Sequence, residues 1–261
     1  MAFIENNKNG ITYMTASNIS VPHAFTTRFG GVSKGIYESM NLGQNVGDDA
    51  ANVNANYMSL CEALNIKLDN IVCTKQVHGN SIRVASHDDC GRVFLDIPYE
   101  ADGLITNSPG LSLAIFIADC VPILLYDEEN QAIAAVHAGW RGTAIDIVGA
   151  AIKGMTEAYG SNPKNIRGAI GPSISVCCYE TDADVPEALA NVLGNDVSFC
   201  VKPMSEKFMV DLKNANRLLL EKAGVIDIDI SQECTSCQSD KYWSHRKTNG
   251  NRGSQAAIIS I

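Results

Sequence analysis

The stretch that decides the fold is Ala118-Asp-Cys-Val-Pro-Ile-Leu-Leu-Tyr-Asp-Glu-Glu-Asn-Gln-Ala-Ile-Ala-Ala-Val-His-Ala-Gly-Trp-Arg-Gly142. Its pattern predicts two apolar strands around a polar turn, with Glu128 and Glu129 at the centre of the turn. A turn centred there places Cys120, where the first strand begins, directly opposite His137, where the second strand ends. Opposite residues of an antiparallel pair share a face, with Cβ atoms roughly 4.5–5.5 Å apart. We therefore expect a thiol and an imidazole side by side at one end of this hairpin.

A neighbouring thiolate and imidazole can support two kinds of chemistry. They can share a metal ion, or His137 can act as the base that activates Cys120 as a nucleophile. His78 follows a third apolar segment, 71–77, and two histidines with one cysteine form a catalytic zinc set with a fourth position open. Zinc in such a site lowers the pKa of bound water toward neutrality. A non-catalytic protein that only binds a partner is the third class that these residues leave open.

Length and charge limit the class of partner. The 261 residues have a formal net charge of −9, and 46% of them are hydrophobic, as in an ordinary globular chain. A negative chain is a poor partner for a nucleic-acid polymer or an anionic membrane, because phosphate polymers bind clustered lysine and arginine. A small phosphate-bearing substrate needs only one or two arginines and stays possible. The sequence does not determine the oligomeric state.

The N-terminus and the cysteines predict a cytoplasmic protein. The first residues lack the basic segment and apolar run of a secretory signal. The most apolar window, 111–126, is interrupted by Asp119 and is shorter than the roughly 20 residues of a membrane helix. Nine cysteines, an odd number in a chain without an export signal, are typical of reduced thiols in a cytosol.

Apolar periodicity predicts strands and helices that are mixed without strict alternation. Thr143 and Asp146 form a capping box for a helix that ends at Gly160. We find no internal repeat or linker. The predicted fold is therefore α+β, a single domain over 1–261 with large mixed β-sheets and flanking helices. Further helices are expected at 51–65, 185–193 and 211–223, and further strands at 11–14, 71–77, 81–85, 102–107, 111–118, 166–170 and 256–261.

Seven short motifs, spread over the chain, resemble one family. They are Thr-Thr-Arg-x-Gly-Gly at 26–31, Gln-Val-His at 76–78, Asp-Gly-Leu-Ile-Thr-Asn at 102–107, Ala-Asp-Cys-x-Pro at 118–122, Ala-Val-His-Ala-Gly-Trp-Arg-Gly at 135–142, Gly-Pro-Ser-Ile at 171–174 and Cys-Tyr-Glu at 178–180. Through them the chain resembles the laccase-domain proteins, also called the multicopper polyphenol oxidoreductase family, over almost its whole length. It departs at 242–247, Tyr-Trp-Ser-His-Arg-Lys, where the family commonly has a Phe-Phe-Ser-x-Arg-Arg-like segment.

The resemblance implies a single-domain α+β fold with one metal site, carried onto His78, Cys120 and His137. It also implies phosphorolysis of inosine, guanosine, adenosine and methylthioadenosine, and hydrolytic deamination of adenosine. The partners would then be purine nucleosides and inorganic phosphate. Bacterial members are also associated with the removal of wrongly incorporated residues from peptidoglycan precursors, which would suit the cysteine–histidine hydrolase alternative.

The copper in the family's name can be tested on composition. A multicopper oxidase holds several copper ions mostly on histidine, and this chain has five histidines: His23, His78, His87, His137 and His245. That number is too small for a trinuclear cluster plus a blue-copper site. One divalent ion, zinc above all, fits the ligands better, although Cu²⁺ can load onto the same three residues because it outranks Zn²⁺ in affinity. A copper-dependent polyphenol oxidase is the weaker alternative.

Proton transfer in deamination needs a carboxylate near the metal. Other zinc deaminases use a glutamate for this step. Here the candidates are Asp119, next to Cys120 in sequence, and Glu180. Each also has a simpler interpretation, because Asp119 can cap the turn and Glu180 can be a solvated loop residue.

Phosphorolysis needs an anion clamp, and guanidinium binds phosphate in a bidentate manner. Arg28, beside a Gly-Gly turn, and Arg141, four residues after His137, are the first candidates. Arg246 and Arg252, in the basic tail, are the second.

The remaining candidates are polar or aromatic. Gln76 and Asn41 could recognise purine edges or ribose hydroxyls, and Trp140 could pack beneath the site. The Cys234-x-x-Cys237 pair is weak evidence for a metal site, because a single CxxC without a second pair is not specific.

Overall fold

The 118–142 hairpin lies inside a stack of two β-sheets in the computed structural model, which describes residues 3–44, 46–91 and 97–261. The strands are β1 (Phe3–Lys8), β2 (Ile11–Ala16), β3 (His23–Thr26), β4 (Ile71–Val72), β5 (Ile82–Val84), β6 (Gly103–Thr106), β7 (Ser112–Ile117), β8 (Val121–Asp127), β9 (Ala132–Ala138), β10 (Ile166–Ile170), β11 (Glu180–Thr181), β12 (Val201–Met204), β13 (Lys207–Val210), β14 (Asp227–Ile230) and β15 (Gln255–Ser260). The α-helices are α1 (Ala50–Leu64), α2 (Trp140–Ala144), α3 (Ile147–Tyr159), α4 (Asp184–Leu193), α5 (Leu212–Lys222) and α6 (His245–Thr248).

Both large sheets mix parallel and antiparallel pairs, as the sequence predicted. In the described residues the first sheet has the order β1-β2-β3-β15-β7-β4, and the second has the order β14-β10-β8-β9-β6-β5. Most neighbours are antiparallel, but β4 with β7, β5 with β6 and β10 with β14 are parallel. A small third sheet has the order β11-β13-β12, and Val210 of β13 belongs to the core cluster on the helix-covered face of the second sheet. The predicted α+β class is confirmed.

The hairpin is buried on both faces because each face meets another layer. Leu124 points toward the first sheet and packs in one cluster with Leu113 of β7. Ile123, on the other face, packs with the helices that cover the second sheet, including Met155 of α3. On the far side, Tyr57 of α1 belongs to the cluster that covers the first sheet. The layers are therefore helix, sheet, sheet, helix, with the hairpin in an inner layer.

The register of the hairpin differs by two residues from the predicted one. Pro122, not Cys120, is opposite His137, and the connecting loop is 128–131. The reason is Asp127, whose carboxylate accepts backbone N–H groups of the loop at 3.0 and 3.3 Å and so moves the turn along the chain. A shift of two residues preserves the alternation of side chains. Cys120 and His137 therefore still share the face between the sheets, as predicted.

All the predicted helices are present, but the helix that ends at Gly160 begins later than predicted. α1, α4 and α5 begin and end within one residue of the predicted ranges. The capping box of Thr143 and Asp146 is wrong, because Thr143 lies inside the short α2. Asp146 adopts a left-handed backbone conformation between α2 and α3 and caps α3 itself, accepting the N–H of Gly149 at 3.0 Å. The predicted end at Gly160 is confirmed.

The strands that the sequence missed lie at the periphery. β1 is largely polar and exposed on most positions, so it carries little apolar alternation. The strands of the third sheet are equally short or exposed. The strand predicted at 71–77 covers only Ile71–Val72, and the residues after it turn toward the candidate site.

Strands from the two ends of the chain meet in one layer. β15, near the C-terminus, pairs with β3 on one side and with β7 on the other. In the part of the chain that is described, no helix has the length and apolar character that crossing a bilayer requires. That one domain covers all of 1–261 stays a prediction, and its first two residues lie outside the described ranges.

Candidate metal centre

Three side chains from distant parts of the sequence meet at the end of the hairpin. The ligand atoms of His78, Cys120 and His137 all lie within 4.8 Å of one another. His137 comes from β9, Cys120 immediately precedes β8, and His78 lies in the loop that follows β4. The two imidazole rings are 4.8 Å apart between centroids and nearly perpendicular. The structure thus brings together the three residues proposed as metal ligands.

A buried carboxylate, Asp102, organises this cluster. Its carboxylate accepts a hydrogen bond from Nδ1 of His137 at 2.7 Å. It also accepts hydrogen bonds from the backbone N–H groups of Val77, His78 and Gly79 at 3.1, 2.9 and 2.7 Å. Burial alone would raise the pKa of Asp102, but the hydrogen bonds from His137 and these amides lower it. The carboxylate leaves Nε2 of His137 available as a ligand, which is the usual arrangement behind metal-bound histidine.

The backbone around the cluster is adapted to this packing. His78 has a φ of +62°, a left-handed conformation that is uncommon outside glycine, and Asp102 holds the amides on both sides of it. Gly139 lies so close that a Cβ there would be 2.5 Å from Nδ1 of His78 and 3.3 Å from Sγ of Cys120. Only glycine leaves space for both ligands at that position.

The charge balance of the cluster suits a cation. Burial disfavours the imidazolium form of His137, but the Cys120 thiolate and the Asp102 carboxylate outweigh burial and raise its pKa to about 9. In contrast, burial and the neighbouring His137 lower the pKa of His78, which keeps that imidazole neutral and able to donate a lone pair. A carboxylate and a cysteine sulfur around one imidazole are a setting in which a metal ion can take the place of a proton, because metal ligands bind in their deprotonated form. Two imidazoles and one thiolate therefore fit a zinc ion.

The cluster forms the floor of a cavity of about 1070 Å³. The wall is rich in basic residues although the chain is acidic: Lys75, Arg141, Arg246 and Arg252 line it. Among the described residues of the wall, Asp119 is the only carboxylate. Lys75 is neutralised by an ion pair with Glu100 at 2.8 Å, so the arginines dominate the local charge.

Three buried polar atoms of the wall lack a hydrogen-bond partner within the described ranges. They are Nε2 of Gln44, Oγ1 of Thr74 and Nε of Arg252. Buried polar groups are normally hydrogen-bonded, so an atom without a protein partner at a cavity wall can bind a polar ligand. Arg252 otherwise donates to the carbonyl of Gly253 and to the hydroxyl of Ser254. The cavity is thus prepared for a polar, anionic ligand.

Arg141 and Gln76, two of the predicted substrate-binding residues, face this cavity in different ways. The guanidinium of Arg141 stacks on Trp140, 4.3 Å from the ring, and makes no hydrogen bond to the described residues. The side-chain amide of Gln76 makes two hydrogen bonds to the backbone of Phe116. Its Nε2 donates to the carbonyl at 2.8 Å, and its Oε1 accepts from the N–H at 2.7 Å. Arg141 is therefore available to a ligand, whereas Gln76 holds the wall in place.

Asp119 and Arg246 also reach the cavity, and they are bound to each other. The Asp119 carboxylate accepts the hydroxyls of Thr235 and Ser244 at 2.6 and 3.1 Å and the backbone N–H of Arg246 at 2.7 Å. The guanidinium of Arg246 donates to the carbonyls of Cys178 and Glu180. These contacts favour a positioning role for Asp119, the cap that was the simpler of its two interpretations.

The structure does not bring Arg28, Asn41 or Glu180 into the cavity wall. Arg28 stacks on Trp243 and donates to the carbonyls of Glu38 and Ser239, beside a separate small depression. Asn41 is fully buried and is hydrogen-bonded to its own neighbourhood. The side chain of Glu180 is exposed on the third sheet.

Sequence reasoning missed the role of Asp102 and the presence of Tyr179 and His245 on the cavity wall. Asp102 opens the Asp-Gly-Leu-Ile-Thr-Asn motif, and a charged residue directly before a fully apolar strand was the available signal. Burial raises the pKa of Tyr179 to about 12, so its hydroxyl is a neutral donor in the cavity. His245 is the first residue of the short α6, after its N-cap Ser244, and carries no pattern that would have singled it out.

The fold and site define a class, an α+β protein of two stacked mixed sheets with a His-Cys-His candidate metal centre on the floor of an arginine-lined cavity. The chain belongs to the family described as multi-copper polyphenol oxidoreductase laccase, whose model matches residues 22–261. The predicted resemblance is thereby confirmed.

Relatives of the chain carry names that indicate nucleoside chemistry. A protein of Geobacillus stearothermophilus named purine nucleoside phosphorylase YlmD is 38% identical over 240 residues, which cover 90% of this chain and 88% of the relative. A protein named adenosine deaminase RL5, from an unknown prokaryotic organism, is 36% identical over 91% of this chain and 93% of its own length. The crystal structure of YlmD from Geobacillus stearothermophilus superposes with a TM-score of 0.93 at 36% identity, covering 99% of both chains.

Proposed function

We propose that this protein is a zinc-dependent purine nucleoside phosphorylase that also deaminates adenosine. Its substrates would be inosine, guanosine, adenosine and methylthioadenosine, with inorganic phosphate as the second substrate of phosphorolysis. The observation that carries the proposal is the His78–Cys120–His137 cluster at the floor of a cavity that arginines line in an otherwise acidic chain. The names of the relatives support the same reaction class.

The ligand set supports one metal ion and favours zinc. Of the five histidines, His78 and His137 alone are in the cluster, which is too few for a multicopper centre. A thiolate with two imidazoles is a preferred zinc environment. Because all three residues line the cavity, a ligand from the cavity would be able to complete the coordination. Bound there, zinc would supply a Lewis acid that polarises an oxygen atom of water or substrate. Copper loaded on the same residues is the alternative that metal analysis decides.

Arg141 is the residue that we assign to phosphate. Its guanidinium has no other hydrogen-bond partner among the described residues, and stacking on Trp140 holds the stem without occupying the donors. Arg252, with its unpartnered Nε, would bind a second oxygen of the same anion. In phosphorolysis a phosphate oxygen forms a bond to C1′ while the bond from C1′ to the purine nitrogen breaks. Guanidinium groups would hold the anion for that attack.

Asp119 and Tyr179 would act on the site in different ways. Asp119, bound by three donors, would hold the chain that carries Cys120. Tyr179 has a neutral hydroxyl on the cavity wall and could donate a hydrogen bond to a leaving purine. Glu180 stays a prediction as a proton carrier, with its side chain exposed outside the cavity wall.

Arg141→Ala tests the phosphate assignment. We expect the KM for phosphate to rise by roughly 10- to 100-fold, because one charge-assisted bidentate contact is lost. Arg141→Lys should recover only part of this loss, since an ammonium group is a point charge. Arg217→Ala, which removes a half-buried arginine paired with Glu221 on α5 and outside the cavity wall, is the matched control and should leave the KM unchanged. An unchanged KM in Arg141→Ala would remove Arg141 from the phosphate site.

The cysteine–histidine hydrolase is the second candidate, because the sulfur of Cys120 lies within 4.8 Å of a ring nitrogen of His137. A thiol nucleophile would work without metal and would be lost on alkylation. We expect the opposite result: a chelator should abolish base release from inosine, and zinc should restore it. Metal-stripped protein that retains full activity would instead support the hydrolase.

Deamination of adenosine is the further activity that the relative named adenosine deaminase RL5 supports. The expected product is inosine, with release of ammonia, in the same zinc-loaded preparation. His78→Ala should lose both activities together if they share the metal. Deamination that survives this substitution would place it at another site.

We also propose a cytoplasmic location. All nine cysteines lie within the described ranges and are free thiols there, which fits a reducing compartment. Fractionation of cells with an antibody against the protein would test this, and recovery outside the cytoplasm would contradict it.

A further inference from the structure

Four cysteines from two separate segments meet near the surface, away from the His-Cys-His cluster. They are Cys177 and Cys178, in the loop after β10, and Cys234 and Cys237, in the loop after β14. All four sulfur atoms lie within 4.8 Å of one another. The parallel pairing of β10 with β14 carries both loops to the same edge of the sheet, where Ser173 bridges to Cys234. The CxxC motif therefore has the second pair that its own sequence lacks.

The separations between the sulfurs match those around a tetrahedral metal ion. A zinc–sulfur bond of about 2.3 Å sets the edge of a ZnS₄ tetrahedron at about 3.8 Å. Sγ of Cys237 lies 3.4 Å from that of Cys177 and 3.3 Å from that of Cys178, and the last two are 3.8 Å apart. A disulfide would need about 2.05 Å. In addition, a disulfide joins only two sulfur atoms, whereas three sulfur atoms are mutually adjacent here.

A backbone amide donates to one of these sulfurs. The N–H of Ser175 donates to Sγ of Cys234 at 3.3 Å. An amide donor of this kind stabilises a coordinating thiolate and orients it.

A buried lysine offsets part of the negative charge that four thiolates would bring. Lys213, on α5, is 5% exposed and donates to the carbonyls of Ser231 and Glu233, both at 2.8 Å. Among the charged groups that act on its amino group, Asp211 comes first, followed by Cys234, Cys177 and Glu233. A buried cation at this position offsets part of the charge of an anionic centre beside it.

We propose that Cys177, Cys178, Cys234 and Cys237 form a second zinc site, a tetrathiolate that is structural and closed. Four sulfur ligands leave no open position for water or substrate. The tetrahedral sulfur set selects zinc over magnesium, calcium or manganese, which prefer oxygen. Each thiol loses its proton on binding, so the ion replaces four protons.

The site would hold one wall of the catalytic cavity. Ile174, before the first cysteine pair, donates its N–H to the carbonyl of Asp119 at 3.0 Å. Thr235, between the cysteines of the second pair, donates its hydroxyl to the carboxylate of Asp119. Asp119 precedes Cys120, and Tyr179 follows Cys178 directly. The two loops thus contact the catalytic floor from both sides, and zinc would lock them together.

Metal analysis in a background that lacks the first site isolates this one. His78→Ala combined with Cys120→Ala removes two ligands of the catalytic cluster but none of the four thiols. Purified under reducing conditions with zinc, this variant should hold about one zinc ion per chain, and wild-type protein about two. Adding Cys234→Ser and Cys237→Ser should remove the remaining ion. Cys90→Ser, at a cysteine outside both clusters, is the control and should keep about two.

A second readout covers variants that fail to fold. Cobalt added to metal-free His78→Ala, Cys120→Ala protein should give sulfur-to-metal charge-transfer absorption with the intensity of four thiolates. Less than a fifth of an equivalent of zinc, or cysteines found in disulfides under the same reducing conditions, would overturn the proposal. The outcome is independent of the nucleoside activity, because the background already lacks the catalytic ligands.

Discussion

At the residue scale, Asp102 connects the two histidines of the candidate metal centre. Its carboxylate is completely buried and holds the imidazole of His137 together with the amides that set the backbone of His78. The ligands themselves were recognisable from sequence as potential donors. Their supporting carboxylate was not, because nothing in the local pattern shows that four donors from two other segments converge on one aspartate.

Asp102→Asn should weaken metal binding by roughly 10- to 100-fold, which is typical for loss of a carboxylate behind a ligating histidine. Titration of the metal-free protein with zinc and a competing chelator measures this. Asp127→Asn is the matched control, since Asp127 is equally buried but closes the hairpin loop. It should cost stability and leave zinc affinity unchanged.

An NMR measurement on Asp102→Asn distinguishes loss of the contact between Asp102 and His137 from a general disturbance of the fold. The carboxylate contributes to the raised pKa of His137, about 9 in the metal-free protein, so a neutral amide should lower that pKa toward 6.5. An NMR titration of the imidazole follows it. An unchanged pKa, with zinc affinity also unchanged, would mean that Asp102 does not support the site.

Gly139→Ala should abolish zinc binding at the catalytic cluster without unfolding the protein. The new methyl group would lie 2.5 Å from Nδ1 of His78, a separation that forces the imidazole to move. Gly168→Ala is the control, because a methyl group there meets its neighbours at 3.6 Å or more, in ordinary contact. Full zinc occupancy of the catalytic ligands in Gly139→Ala would show that the site tolerates a wider geometry.

At the scale of elements, the strands of the hairpin were predictable from the sequence, but the register in which they pair was not. Apolar residues at all positions of β8 and β9 except Asp127 and His137 indicated strands buried on both faces, and every residue of both strands is buried. The exact pairing depended on a side-chain–backbone contact of Asp127, which no periodicity reveals. Cys120 and His137 still lie on the same face of the sheet because the observed register differs from the predicted one by two residues, an even number. An odd shift would have placed the thiol and the imidazole on opposite faces of the sheet.

Asp146→Ala should destabilise the protein by about 1 kcal/mol, because the cap of α3 is lost. Asp146→Asn should retain most of the stability, since asparagine also caps helices and tolerates the left-handed backbone that Asp146 adopts. Urea denaturation of both variants measures the difference. Equal loss in both would mean that the charge of Asp146, and not its hydrogen bond to Gly149, stabilises the helix.

At the scale of the whole molecule, long-range topology makes the sites. His78 reaches the hairpin because Asp102 precedes a strand that pairs with β9. The four cysteines meet because β10 and β14, more than fifty residues apart in sequence, are parallel neighbours. Single-sequence patterns carry no information on such pairings, so the fold class was predictable and the cavity, the role of Asp102 and the second cysteine cluster were not. The position of Arg28 outside the cavity was not predictable either, because it also depends on long-range strand pairing.

The most direct test of the account is the release of hypoxanthine from inosine by zinc-loaded protein, measured with and without inorganic phosphate. We predict release only when phosphate is present, with ribose 1-phosphate formed in equal amount, and none from His78→Ala in either condition. Release that continues at the same rate without phosphate, or that persists in His78→Ala, would contradict a zinc-dependent phosphorylase.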